Sequence, residues 1–444
     1  MEAKFTVAGL RGVWGDNLNT EIVEKHIRAF GHFLQKRNAK RIIIGRDARS
    51  SGPSISTLTT EILTKAGIDV TDIGLAPTPT VLFLVRSEKY DGSIIITASH
   101  NPPEYNGVKF VTSSGSFTTE NEVEEIKQYF SLPLQGKDEG TLTRDLDLPE
   151  KHIEHILKNV DRDLIASKKF TVVLDPINSA GAILGPKLIE SLGCAVAVIN
   201  GVPDGNFAHM PEPLPENLTR LGEIVKKFNA DIGFAQDPDA DRLVVCDETG
   251  TIVFEEYTLS LAIKAVLKKT PGDIVTNLST TNTNEDLVQT VGFKNYRAKV
   301  GEANVVEGIK KYNAVIGGEG GGGVIYPKIN LCRDSLTGIA LILESLAQEN
   351  KKVSEIVSEL PKYEFIKTKM AFSGDLQSLI EKTINLFPDG IPDKQDGLRI
   401  DFSDRSWVQI RSSNTEPIIR IFAEAKTKDR AESLISQVQS LLTK

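Results

Sequence analysis

An apolar run leads directly into a polar loop over residues 94–103, IIITASHNPP. Similar short apolar runs recur along the chain, and most of them lead into loops rich in Gly, Asn, Asp, Ser or Pro. They span residues 170–174, 231–235, 273–277 and 314–316. Helical patterns alternate with these runs, and the one after Thr20 places apolar residues from Ile22 to Leu34 on one face. Strands that alternate with helices predict parallel α/β layers, whose ligands gather at the carboxyl ends of the strands.

The length of 444 residues suggests about three domains. A polar stretch between Leu132 and Glu150, a turn at residues 247–250 and the pair Leu360 and Pro361 predict domain boundaries. Beyond the last of these the pattern changes to hairpin strands between two helices, which is typical of an α+β segment. The predicted domains span residues 1–148, 149–250, 251–363 and 364–444.

Charge and cysteine content limit the class of protein. Lys and Arg number 52 against 60 Asp and Glu, a formal net charge of -8, so no global positive field attracts nucleic acid or anionic lipid. The cysteines Cys194, Cys246 and Cys332 are odd in number and scattered, which indicates a reducing compartment. The sequence begins without an apolar leader and contains no long apolar span. We therefore expect a cytoplasmic protein with no nucleic-acid or membrane partner.

A hydroxyl and an imidazole follow the first apolar run, at Ser99 and His100. Asn101 and Pro102 then predict the start of a helix. Ser99 could act as a nucleophile or a phosphate carrier once a base, a metal or a cation activates it, although a lone serine here is more often a loop or capping residue. Residues 105–109 predict a turn into a second strand, which would return the Lys109 ammonium to Ser99.

Three aspartates alternate over residues 237–242, DPDADR, between two apolar runs. Extended backbone would point the three carboxylates to one side, where they would repel one another without a counter-ion. A hard dication resolves this conflict, and Mg²⁺ suits a site that shares its ligands with a phosphate. An EF-hand is disfavoured because Arg242 stands where its loop needs Gly, and a solvated acidic turn is the remaining alternative. Arg242 could anchor a phosphate or brace the carboxylates.

Two further loops could bind a phosphosugar. Six glycines surround Glu319 over residues 317–323, where backbone could approach a ligand and a carboxylate could accept from two sugar hydroxyls; a flexible linker is the alternative. Residues 411–417, RSSNTEP, together with Arg420 supply two guanidinium groups, hydroxyls and an amide, which suit a phosphate. A capping box is the alternative there, but the chain continues as a strand.

In this order and at these separations, the motifs resemble those of the α-D-phosphohexomutase superfamily over essentially the whole chain. The resemblance implies three similar α/β domains with mixed sheets and a smaller α+β C-terminal domain around a central cleft, each domain contributing one motif. The glycine loop is similar to that of archaeal-type phosphoglucosamine mutases. Phosphomannomutase/phosphoglucomutase members have Ser and His where this chain has Gly321 and Gly323.

The resemblance also implies roles for individual residues. Ser99 would be the phosphoserine, and Mg²⁺ would be bound by Ser99, Asp237, Asp239 and Asp241. His100, Lys109 and Arg11 would be catalytic, with acid–base or phosphate-orienting roles. The implied substrate-binding residues are Arg242, Glu319, Gly321, Arg411, Ser413, Asn414, Thr415 and Arg420.

The implied activity is that of a phosphohexomutase, an isomerase that interconverts hexose 6-phosphate and 1-phosphate through a phosphoserine and a bisphosphate. Glucosamine phosphate is the expected substrate, with glucose or mannose phosphate as the alternative. Mg²⁺ would be the cofactor, a hexose 1,6-bisphosphate the activator, and the protein a monomer or homodimer. A phosphosugar phosphatase and a non-catalytic phosphosugar-binding protein are the competing classes; the presence of Ser99 with all three aspartates argues against the latter.

Overall fold

The chain is described by a computed structural model over residues 3–136, 138–412 and 418–442. Its first sheet has seven strands: β1 (Lys4–Thr6), β2 (Gly9–Val13), β3 (Arg41–Arg46), β4 (Asp69–Leu75), β5 (Gly92–Ile96), β6 (Tyr105–Thr112) and β7 (Leu142–Arg144). The sheet order is β1-β2-β6-β5-β3-β4-β7, and the strands from β5 to β7 in that order are parallel. Strands β1, β2 and β6 pair antiparallel, which makes the sheet mixed.

Four helices accompany this sheet: α1 (Thr20–Lys36), α2 (Gly52–Lys65), α3 (Thr78–Ser87) and α4 (Glu120–Lys127). The predicted apolar face of α1 is confirmed, because Val23, Ile27, Phe30 and Leu34 are all buried in one core cluster. Within that cluster the ring of Phe30 stacks on Phe110 of β6, with centroids 4.5 Å apart. Asn19 caps the helix by accepting a hydrogen bond from the backbone of the third following residue, which explains why the helix begins at Thr20.

The second sheet has four strands: β8 (Thr171–Asp175), β9 (Ala195–Val198), β10 (Ile232–Gln236) and β11 (Leu243–Asp247). Its order is β11-β10-β8-β9, and only the pairing of β10 with β11 is antiparallel. The accompanying helices are α5 (Glu150–Leu157), α6 (Arg162–Lys168), α7 (Gly181–Ser191) and α8 (Thr219–Phe228), with a short 3₁₀ turn at Pro215–Asn217.

The third segment contains β12 (Ile274–Asn277), β13 (Asn295–Ala298), β14 (Ile316–Glu319) and β15 (Gly323–Ile325). Strand β12 pairs in parallel with both β13 and β14. Its helices are α9 (Glu256–Lys269), α10 (Thr283–Gln289), α11 (Glu302–Tyr312), α12 (Ser335–Glu349) and α13 (Val353–Glu359).

The last segment is an antiparallel sheet with two helices. Its strands are β16 (Glu364–Ala371), β17 (Ile391–Asp393), β18 (Leu398–Asp401), β19 (Trp407–Ser412) and β20 (Ile418–Ala425), and its helices are α14 (Leu376–Leu386) and α15 (Lys428–Ser440). The order is β16-β20-β19-β18-β17. Strand β16 was not predicted, because Lys367 and Lys369 interrupt its apolar residues, yet it pairs with β20 along its full length.

The predicted fold class is confirmed: three α/β segments with mixed or parallel sheets precede a smaller α+β segment. The chain divides into two compact units, Met1–Thr258 with Gly321–Ile356, and Leu259–Gly320 with Val357–Lys444. The exact domain boundaries given above stay predictions. In the described part of the chain, no helix is both long enough and apolar enough to cross a membrane.

Gly322, just before β15, has a backbone that other residues would strain. Its φ is +85°, and a Cβ atom there would lie 2.2 Å from the backbone oxygen of Leu243. The Leu243 amide donates a 3.0 Å hydrogen bond to the Gly322 carbonyl, so the two backbones cannot easily separate.

Gly322→Ala should therefore destabilise the protein by more than the strain of left-handed backbone alone, which is about 1–2 kcal/mol. Gly15→Ala is the matched control, since Gly15 has the same φ of +85° but no atom within 4 Å of its would-be Cβ. The free energies of unfolding can be compared by urea titration. Equal losses in the two variants would contradict the steric argument.

Candidate active site

Ser99 lies just beyond the carboxyl end of β5, in a tight loop that returns the chain into β6. Its φ is +50°, and only 4% of the residue is exposed. The predicted helix at Asn101 is wrong: the amide of Asn101 donates to the Ala98 carbonyl, and that of Tyr105 to the Pro102 carbonyl, forming successive turns. These turns lead into β6 antiparallel to β5, so a helix has no room to begin.

The three aspartates lie in the loop between β10 and β11, and their carboxylates converge. One oxygen from each of Asp237, Asp239 and Asp241 lies within 4.8 Å of the others. The predicted extended alternation is wrong, because the segment is a turn with Ala240 at a φ of +54°. Asp237 holds this turn, since its Oδ1 accepts from the amides of Asp241 (3.0 Å) and Arg242 (3.1 Å).

The structure brings Ser99 and the aspartates together although 138 residues separate Ser99 from Asp237. Ser99 Oγ lies 3.4 Å from Asp237 Oδ2 and 3.3 Å from His100 Nδ1. Lys109, in β6, contacts the aspartate cluster: its Nζ lies 2.6 Å from Asp239 Oδ2. Thr78, at the start of α3, donates to the same oxygen at 2.7 Å.

Burial and mutual repulsion separate the acidities of these carboxyl groups. Burial, followed by the charges of Asp241 and Asp239, raises the pKa of Asp237 well above its usual value. Burial also acts to raise the pKa of Asp239, but the Lys109 ammonium and the hydrogen bonds from Lys109 and Thr78 outweigh it and lower that pKa. The protein alone therefore stabilises the anionic form of Asp237 poorly.

The donor set fits a hard divalent cation. Asp239 Oδ1 and Asp241 Oδ1 are buried, and neither accepts a hydrogen bond from any described residue. Buried carboxylate oxygens normally have partners, and oxygen ligands of this kind suit Mg²⁺ or Ca²⁺. The cluster of Asp237, Asp239 and Asp241 could therefore hold a metal ion.

Several cations act on the loop that contains Ser99 and His100. Arg11, in β2, donates to Asn101 Oδ1 at 2.8 Å, and Arg242 lies 3.7 Å from Glu212. Burial, followed by the positive charges of Arg242, Arg11 and Arg333, lowers the pKa of His100 well below its usual value. His100 is therefore uncharged near neutral pH.

The sequence did not predict Arg333 as a site residue, although its side chain contacts the aspartate cluster. Its Nη2 lies 2.5 Å from Asp241 Oδ2. A Cβ atom on Gly323 would lie 2.5 Å from Arg333 Cδ, so the absence of a side chain at Gly323 leaves room for the Arg333 side chain. Gly323 thus has a packing reason to lack a side chain, and no signal in the sequence pointed to Arg333. A Cβ on Gly321 would lie 3.9 Å from Arg242 Nη1.

The remaining predicted substrate residues lie in the second compact unit, apart from Gly321. Glu319 ends β14, and its Oε1 accepts from Asn277 Nδ2 and from the Gly301 amide, both at 2.9 Å. Arg411 lies directly opposite Arg420 in the β19–β20 pair, with its Nη2 3.3 Å from Asp396. Ser413, Asn414 and Thr415 fall outside the described residues.

Four family models match the chain in order: the phosphoglucomutase/phosphomannomutase alpha/beta/alpha domains I, II and III over residues 2–133, 150–250 and 255–363, and the C-terminal domain over 351–440. The chain belongs to the phosphoglucomutase/phosphomannomutase family. As a member it is a phosphohexomutase of the α-D-phosphohexomutase superfamily, with a phosphosugar substrate, which confirms the resemblance seen in the motifs.

Individual relatives match over nearly their full length. A phosphoglucomutase/phosphomannomutase from Thermococcus kodakarensis is 39% identical over 97% of this chain and 96% of the relative. A phosphoglucosamine/phosphogalactosamine mutase from Sulfurisphaera tokodaii is 33% identical over 99% of this chain and 98% of the relative. The crystal structure of a family protein from Burkholderia thailandensis matches with a TM-score of 0.87 at 27% identity, over 99% of this chain and 96% of that one. The four-domain α/β architecture of the family is therefore that of this chain.

Lys109→Met should destabilise the metal-free phosphohexomutase by about 3–5 kcal/mol, because it leaves the buried Asp239 charge without its partner. In the wild type the lowered pKa of Asp239 gives stability above the ordinary carboxyl pKa that is lost as the pH falls. The difference in free energy of unfolding between the wild type and Lys109→Met should therefore shrink as the pH falls. Urea unfolding in EDTA at several pH values measures it.

Lys127→Met is the control for loss of a lysine, because its ion pair with Glu124 is on the surface. It should change the free energy of unfolding by about 1 kcal/mol at most. Similar losses for Lys109→Met and Lys127→Met would show that the buried pair does not matter for folding.

Proposed function

We propose that this phosphohexomutase interconverts glucosamine 6-phosphate and glucosamine 1-phosphate through phosphorylated Ser99. The observation that carries the chemistry is the Ser99 hydroxyl, 3.4 Å from a cluster of three buried carboxylates. The choice of sugar is supported by the Sulfurisphaera tokodaii relative, which is named for amino-sugar phosphates, and by the glycines at 321 and 323.

We propose Mg²⁺ as the ion held by Asp237, Asp239, Asp241 and a phosphoryl oxygen on Ser99. When bound, it would neutralise charge on the transferring phosphoryl group. The two carboxylate oxygens without hydrogen bonds support this assignment. Lys109 would then orient Asp239, and Arg11 and Arg242 would add positive charge around the phosphoryl group.

In the forward direction, a sugar hydroxyl attacks the phosphorus of phosphoserine 99. The bond from phosphorus to Ser99 Oγ breaks, a bond to the sugar oxygen forms, and the hydroxyl proton passes to a base. Ser99 Oγ takes up a proton as it leaves, and it gives that proton up again when a phosphoryl group returns to it. We propose His100 as this base, because its Nδ1 lies 3.3 Å from Ser99 Oγ and its ring is held neutral by burial and the nearby arginines. The resulting bisphosphate turns around, its other phosphoryl group returns to Ser99 Oγ, and the released sugar oxygen takes back a proton.

Other residues would bind the rest of the substrate. We propose that Glu319 accepts from sugar hydroxyls, its position being set by the hydrogen bonds to Oε1. Arg411 and Arg420, with Ser413, Asn414 and Thr415, would hold the phosphate that is not reacting. A hexose 1,6-bisphosphate would serve as activator by phosphorylating Ser99.

Glucose or mannose phosphate is the second candidate substrate, because the Thermococcus kodakarensis relative is named phosphoglucomutase/phosphomannomutase. Phosphorus NMR can follow each 6-phosphate of glucosamine, glucose and mannose, with Mg²⁺ and catalytic glucose 1,6-bisphosphate. We expect the highest kcat/KM with glucosamine 6-phosphate. A higher value for glucose or mannose phosphate would assign the second specificity, and release of inorganic phosphate without isomerisation would indicate a phosphatase.

Ser99→Ala should abolish interconversion, because it removes the hydroxyl that we propose as the phosphoryl carrier. Intact-mass measurement after treatment with glucose 1,6-bisphosphate should show about 80 Da on the wild type and none on the variant, the mass of one phosphoryl group. Ser113→Ala, at an exposed turn position, is the control and should behave as the wild type. Wild-type turnover by Ser99→Ala would overturn the proposal.

Asp241→Asn should reduce stabilisation by Mg²⁺. At a Mg²⁺ concentration one hundred times its Kd, the wild type should gain about 2.7 kcal/mol of stability, which thermal unfolding with and without EDTA can detect. The variant should lose most of this gain, whereas the exposed control Asp16→Asn should keep it. An unchanged gain in Asp241→Asn would place the metal elsewhere.

A further inference from the structure

Arg49 is buried beside the Ser99 loop but has no part in the chemistry proposed above. It follows β3, and only 1% of the residue is exposed. A charged side chain is rarely enclosed to this degree unless all of its donors are paired. The partners of Arg49 therefore indicate what it does.

All five N–H donors of the Arg49 guanidinium have acceptors. Three are backbone carbonyls of the loop between β5 and β6, one is the carbonyl of Tyr105 at the start of β6, and the fifth is a carboxylate. Nη2 donates to the carbonyls of Ser99 (2.7 Å) and Asn101 (2.6 Å), Nη1 to those of Pro102 (2.6 Å) and Tyr105 (2.8 Å), and Nε to Asp47 Oδ2 (3.1 Å). The loop thus curves around a single guanidinium group.

The backbone amide of Ser99 is held indirectly by Asp47, which is itself paired with Arg49. Asp47 Oδ2 accepts from Thr97 Oγ1 at 2.6 Å, and Thr97 Oγ1 in turn accepts from the Ser99 amide at 2.8 Å. Both backbone polar groups of Ser99 are therefore tied to the Asp47–Arg49 pair. Ser99 is in the left-handed region, which persists for a non-glycine residue only when its surroundings enforce it.

We propose that Arg49 is a positioning residue for phosphoryl transfer, which fixes the backbone of Ser99 so that Oγ stays beside the aspartate cluster. This inference rests on the function proposed above. Arg49 cannot bind the substrate phosphate in this arrangement, because Asp47 and the four carbonyls occupy its donors and the Phe207 ring lies 5.0 Å from Cζ. Its removal should therefore lower kcat rather than raise KM.

Arg49→Lys is the informative substitution, because an ammonium keeps the charge but supplies three donors in place of a planar fork of five. A displacement of about 1 Å in a reacting group can cost about 10²-fold in rate. We expect kcat, and the rate at which dephosphorylated enzyme gains phosphoryl mass from glucose 1,6-bisphosphate with Mg²⁺, to fall by about this factor. KM for the sugar phosphate should stay within about twofold, since no sugar contact changes.

Arg399→Lys is the matched control for loss of a buried guanidinium. Arg399 is fully buried and donates to the Leu278 carbonyl, to Asn282 and to Asp401, and none of its described partners belongs to the Ser99 loop. Arg399→Lys should reduce thermal stability as Arg49→Lys does, but it should not reduce the rate of phosphoryl uptake. Equal effects of the two variants on that rate would overturn the inference.

Thr97→Val gives an independent test if Arg49→Lys does not fold. It retains the shape of the side chain but removes the hydroxyl between Asp47 and the Ser99 amide, so phosphoryl uptake should slow. Thr97→Ser, which keeps the hydroxyl, should recover most of the rate. Unchanged uptake in Thr97→Val would count against the inference. A wild type that gains no phosphoryl mass would instead refute the proposed function, and this inference with it.

Discussion

Three carboxylates buried within 4.8 Å of one another are the constraint on which the site depends. Uncompensated charges at such separations repel strongly away from water. The protein answers this repulsion in part, through the Lys109 ammonium on Asp239, the Arg333 guanidinium on Asp241 and two backbone amides on Asp237. The raised pKa of Asp237 shows that the compensation is incomplete. A cluster in this state favours the binding of an added cation, and its negative charge explains why the basic side chains of Lys109 and Arg333 contact it.

The fold meets this constraint by using equivalent ends of two sheets. Ser99 follows β5 and the aspartates follow β10, so each motif sits where a strand of an α/β layer gives way to a loop. Both loops are tight turns with a left-handed residue, at Ser99 and at Ala240. The turns place short side chains with little freedom, and phosphoryl transfer depends on such positioning more than on any single reactive group.

Periodicity and motif order predicted the fold class, the buried face of α1 and the strands at the main motifs, because those features follow from local patterns of apolar residues. The backbone conformation within the motifs was harder to predict from the sequence. The chain turns at Asn101 instead of beginning a helix, because the distant Arg49 guanidinium binds the carbonyls of this loop. It turns at Ala240 instead of extending, because the Asp237 carboxylate accepts from the amides of Asp241 and Arg242. Arg49 and Arg333 were missed for a related reason. Their partners lie 50 and 92 residues away, and nothing in their immediate sequence announces the contact.

In the C-terminal sheet, Arg411 and Arg420 occupy directly opposed positions on neighbouring strands. Like charges in that arrangement destabilise a sheet, and Asp396 can offset only part of the repulsion. An anion between the two guanidinium groups would turn a mutual repulsion into two attractions. A bound substrate phosphate would then hold the two neighbouring strands together. The C-terminal sheet would be most stable while the phosphate is bound and less stable once the product has left.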